Sequence, residues 1–116
     1  MKTYLIALFF LFIYVDQDQD DIAGIWKMAE NNVEVEIKKD GDVYHGTVVK
    51  SEVEKAIGKV ILRDFKENGD EWKGKFYAAK KDRLVDATLK PTGNDAMEMV
   101  VKAGFKTKRV PMNRAE

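Results

Sequence analysis

The chain has 116 residues, room for one domain with a modest core. Its 20 Lys and Arg balance 20 Asp and Glu, which argues against nucleic acid as an obligatory partner, since phosphate binding needs a basic excess gathered on one face. It has no cysteine, which excludes disulfides, thiolate metal sites, a cysteine nucleophile and a lipidated cysteine anchor.

Residues 1–15, "MKTYLIALFFLFIYV", read as a signal peptide or an uncleaved N-terminal anchor. Lys2 supplies the positive start, and Tyr4 to Val15 is an apolar run of 12 residues, short of the ~20 that span a bilayer. No small residue stands near the expected cut, so the sequence leaves cleavage open. Residues 16–22 follow as an acidic, flexible leader, and 23–116 form the expected domain.

From there, short β-like runs alternate with turn chemistry every eight to a dozen residues. The first run surrounds Gly24-Ile25-Trp26. In the second, "VEVEIKK", Val33, Val35 and Ile37 share one face and Glu34, Glu36 and Lys38 the other, the alternation of a half-buried strand. Asp40-Gly41-Asp42 predicts a hairpin turn, and "VYHGTVVK" returns antiparallel. Residues 51–58, "SEVEKAIG", fit either one helical turn or a loop.

"KVILRDF" predicts a strand ending at an Asn68-Gly69 turn. "EWKGKFYA" follows with Trp72, Gly74 and Phe76 on one face, then a turn over Lys80 to Arg83. "LVDATLK" runs to Pro91, with "PTGND" as the next turn. "AMEMVVK" and "FKTKRVPMNR" finish the chain, and Pro111 marks an edge or a bulge.

The expected fold is therefore all-β: an antiparallel up-and-down barrel of about eight strands, closed because closure removes exposed edges. An open two-sheet sandwich is the rival. Such a barrel is just wide enough to be filled by side chains or to admit one small ligand.

The stretches "GIWK", "VEIKKDGDVYHGTVVK", "GKVILRDFKENGDEWKGKFY" and "KRVPMNR" together resemble a bacterial family of exported proteins, the domain-of-unknown-function family 2147. That family is similar to the lipocalin and calycin barrels, which begin with Gly-x-Trp and carry a basic residue on the last strand. The resemblance implies that Gly24 and Trp26 close one barrel end and that Arg114 packs across the indole, with Arg109 the second choice. The chain departs from the family at "AAKKDR" after Tyr77, where an Asp-Pro turn is usual, and at Met112, where an aromatic is usual. The family label brings no established activity.

Candidates for chemistry are few. His45 is the only histidine and sits mid-strand, so a solvent-facing or hydrogen-bonded role outweighs a metal site. Asp86 is read as facing outward, because Val85, Ala87 and Leu89 form the more apolar set. "DQDQDD" lacks the loop geometry of a calcium site. No phosphate-cradling glycine loop or serine elbow occurs. "KAGFKTKR" is a basic cluster around Phe105 that reads as a solvated strand end or as an anionic surface contact.

Tyr44, Trp72, Phe76, Met97 and Met99 fall at same-face spacings and are the expected barrel lining. The leading expectation is an exported, periplasmic or secreted, lipocalin-like protein holding a small apolar or amphipathic ligand. No catalytic residue, metal or cofactor is assigned, and membrane contact is expected only through residues 1–15. The alternative is a cell-envelope interaction or structural protein with a filled barrel and no small-molecule ligand.

Overall fold

The computed structural model describes residues 22–29 and 32–115, so the expected targeting segment and residues 16–21 of the leader lie outside it. Eight strands follow in chain order: β1 (Gly24–Met28), β2 (Val33–Asp40), β3 (Val43–Lys50), β4 (Val60–Asn68), β5 (Glu71–Ala78), β6 (Arg83–Gly93), β7 (Ala96–Ala103) and β8 (Lys106–Arg114). Each pairs antiparallel with the next, and β1 pairs with β8 to close the barrel. The sandwich alternative is thereby excluded.

Sequence alternation decides which face goes in. Val35 and Ile37 of β2, Val85, Ala87 and Leu89 of β6, and Met97, Met99 and Val101 of β7 are buried in one apolar cluster. Each such side chain removed from water contributes about 1.5–3 kcal/mol before entropic costs. The strands' polar positions lie outside and pair across the sheet: Lys75 with Asp86, Arg109 with Glu98 at 2.9 Å, and Lys90 with Glu71 at 3.5 Å. A membrane-spanning barrel carries its apolar band outward. This one carries it inward.

Phe65 fills the middle of the core through a local irregularity. The β4–β5 register shifts between Arg63 and Lys66, and Asp64 within the shift has φ +57°. Opposite, a Cβ on Gly74 would stand 2.7 Å from the Phe65 ring and 2.6 Å from the Arg63 carbonyl oxygen. Only a residue without a side chain lets that ring cross the strand.

Three local expectations are refined. Residues 51–58 contain one short 3-10 turn, Glu54–Ala56. "PTGND" is mostly strand: β6 continues through a register shift at Pro91 to Gly93, and the turn contracts to Asn94-Asp95. Pro111 lies in β8 opposite Glu98, and its carbonyl accepts from the Ala29 N–H. The N and C=O of an antiparallel residue point the same way, so the missing donor faces the seam just past the end of β1, not the β7 ladder.

Candidate functional site

Connections alternate between the two ends of an up-and-down barrel. The β2–β3, β4–β5 and β6–β7 turns therefore share one end with the start of β1 and the finish of β8. That end carries a seal. The Trp26 ring is 2 % exposed, its Nε1–H donates to the Ile22 carbonyl at 2.9 Å, and Arg114 lies over it with Cζ 4.4 Å from the ring centroid. Arg114 Nη1 donates to the Ala23 carbonyl at 2.9 Å, and its Nε is 3.3 Å from the Asp95 carboxylate.

The guanidinium thus clips three things together: the entering chain, the indole face and the β6–β7 turn. Ile22, which the sequence reading leaves at the end of the leader, is buried in this seal. Gly24 makes the approach possible. Its φ is +134°, and a Cβ there would stand 2.6 Å from Arg114 Nη1. Arg109, the second choice for the partner cation, is on the outer face with Glu98.

Beside the seal is a half-open cleft of about 350 Å³. Its apolar wall is Ile22, Trp26, Trp72, Pro91 and Met97; its polar rim includes Glu67, Asp70, Asn94 and Arg114. Trp72 is 4 % exposed and meets Tyr44 edge to face at 6.4 Å between centroids. Its indole nitrogen is buried with no hydrogen-bond partner among the described residues. A buried donor left unmade costs about 1–3 kcal/mol, so a native structure that keeps one invites an explanation.

Of the five expected lining residues, the cleft brings together Trp72 and Met97. Met99 is fully buried in the core, and Tyr44 and Phe76 pack against that core from partly buried positions. The barrel axis itself is filled, with Phe65, Leu62, Leu89, Met99 and Met112 among its completely buried side chains. Space is at the sealed end, not down the middle. The rim residues Glu67, Asp70 and Asn94 escaped sequence reasoning because they stand at the end of β4 and in the turns, where polar residues are the rule; only their spatial convergence marks them.

Elsewhere, candidate groups have ordinary partners. His45 Nδ1 accepts from the Asp64 N–H at 3.3 Å, and its Nε2 is 3.8 Å from Asp40. Asp86 is exposed, and its hydrogen bond and charge pairing with Lys75 hold its carboxyl below the usual aspartate range. The Tyr77 hydroxyl donates to Asp82 at 2.5 Å, a bond that raises the phenol above its usual range. Among the described residues, no three His, Cys, Asp or Glu side chains converge to hold a metal ion.

Comparison with known families gives one match: residues 24–108 fit a family described as an uncharacterized protein conserved in bacteria (DUF2147). The matched span covers the barrel from the seal's glycine into β8 and stops before Arg114. No curated protein and no solved structure matches the chain.

Proposed function

We propose, for a chain that belongs to the DUF2147 family, an exported binding protein that seats one compact amphiphile in the cleft beside Trp26. The observation that carries this reading is the half-open cleft of about 350 Å³ walled by the Trp26 and Trp72 indoles. The volume lies at the lower end of small-ligand sites, which run from ~300 to ~1,000 Å³.

The lining narrows the guest. Two indoles, Ile22, Pro91 and Met97 offer an apolar bed, while Glu67 and Asp70 put two carboxylates on the rim. An anionic head is repelled there. A neutral molecule with a hydroxyl or amide group fits both sides, resting on the indoles and donating to a rim carboxylate. This departs from a lipocalin-like ligand down the barrel axis, because the axis is filled. Export rests on the apolar run with Lys2 at the chain's start.

Native mass spectrometry of the protein purified from its own host, followed by displacement of a neutral fluorescent amphiphile, tests the reading. A retained mass that Trp72→Phe loses supports it. A protein that arrives empty and binds no member of a neutral amphiphile panel at micromolar concentrations contradicts it.

A second reading, an envelope interaction protein without a small ligand, has one observation in its favour, the completely packed barrel axis. Stable co-purification of an envelope protein together with an empty cleft is its signature.

A further inference from the structure

The opposite end of the barrel presents a surface that the cleft does not explain. There the two-residue turn Gly104-Phe105 joins β7 to β8, and the Phe105 ring is 98 % exposed. Continuing the Asp86–Lys102 register by two residues brings Leu84, 46 % exposed, opposite Gly104. Lys80, Lys81 and Arg83 of the β5–β6 hairpin and Lys102, Lys106 and Lys108 of the β7–β8 hairpin surround this tip, and all six are exposed. Two acids stand among them: Asp82, which accepts the Tyr77 hydroxyl, and Asp86, which lies opposite Lys102 and pairs with Lys75. Among the described residues, Glu52 and Glu54 of the β3–β4 connection are accompanied by Lys55 and Lys59, and Glu34 of β2 pairs with Lys50.

A chain with no net charge has therefore gathered six cations around two adjacent hairpins and placed an aromatic at the tip. Single exposed apolar residues are commonplace. A fully exposed phenyl ring ringed by lysines is different, because the two features answer one surface: anionic headgroups attract the cations, and the acyl boundary takes the ring.

We propose that the β5–β6 and β7–β8 hairpins dock on an anionic phospholipid bilayer, with Phe105 as the inserted side chain. The docking surface lies at the end of the barrel opposite the cleft and the start of β1. The inference stands apart from the ligand reading, since no residue is shared between the two sites.

The test is Phe105→Trp in the full chain, titrated with vesicles of phosphatidylcholine alone or mixed with phosphatidylglycerol, each with brominated acyl chains. The native indoles are both buried, so the wild type supplies the background. Bromine quenching reports the depth of position 105 itself, whatever residues 1–15 do. The expected result is quenching and a blue shift with anionic vesicles only, weakening as salt rises. In flotation from the same vesicles, Phe105→Ala lowers affinity about tenfold and Lys106→Glu by several-fold. An unquenched indole in anionic vesicles, or equal quenching in both vesicle types, overturns the proposal. So does a blue shift that depends on protein concentration without vesicles, which marks this face as a contact between copies of the chain.

Discussion

Gly24, Trp26 and Arg114 act as one device, and their energetics should show it. Gly24→Ala puts a methyl group against Arg114 Nη1 and demands φ +134° of an alanine; we expect a loss of about 2 kcal/mol. Arg114→Ala removes the cation over the indole and the bond to the Ala23 carbonyl, again costing about 2 kcal/mol. Because both substitutions break the same contact, the double variant should lose clearly less than the sum in urea titrations. Full additivity would show that Gly24 serves something other than Arg114. A second residue-level test is electrostatic. Asp86 titrates below the ordinary aspartate value of 3.8 because Lys75 bonds its carboxylate, so Lys75→Met should move its carbon-13 NMR midpoint back up toward that value. A folded value below the unfolded one means stability present above pH 3.8 and lost as pH falls through the folded value; with the pair on the solvated outer face, that contribution is small.

Strands differ in how firmly they are held. The closing seam joins β1 to β8 through three residue pairs, Trp26–Arg114, Lys27–Asn113 and Met28–Met112, whereas β7 and β8 pair over eight. Amide hydrogen exchange should therefore open first along β1 and last in β6 and β7. Equal protection throughout would mean that the seam is no weak point. At the β4 irregularity, Gly74→Ala forces a methyl group into the Phe65 ring and should cost about 2 kcal/mol, against a few tenths for the exposed Gly93→Ala, where a methyl group meets only Ala96 Cβ at 3.9 Å. Most of this layer could be read ahead of the structure. Strict alternation in Val33, Val35 and Ile37, or in Val85, Ala87 and Leu89, sorts inside from outside without coordinates. The shift at Asp64 could not be read, because an aspartate with positive φ leaves no mark in the sequence. Nor could the strand character of Pro91 to Gly93, where proline and glycine argue for a turn until the register shift absorbs them.

At the scale of the whole molecule, the barrel is a filled rod with two unlike ends. One holds the indole seal and a cleft with an acidic rim; the other is basic around β5–β8 and carries an exposed ring. The basic end was half legible, since "KAGFKTKR" around Phe105 reads as a solvated strand end or as an anionic surface contact; the cleft was not. The cleft is assembled from two hairpin ends more than twenty residues apart, Glu67–Asp70 and Pro91–Ala96, while the exposure of Phe105 depends on how far its hairpin projects. The seal was anticipated only through a family resemblance, and its physical reason, the space above Gly24, is a matter of geometry.

The central claim is that the cleft beside Trp26 seats a guest against the Trp72 ring. With two tryptophans in the chain, the proton–nitrogen NMR spectrum holds two indole signals, and Trp72→Phe assigns them. On titration with neutral hydroxyl- or amide-bearing amphiphiles, the Trp72 signal should move as the guest packs on its ring, and that of Trp26, which walls the same cleft, should move with it. Two indole signals that stay fixed across the whole series would contradict the account.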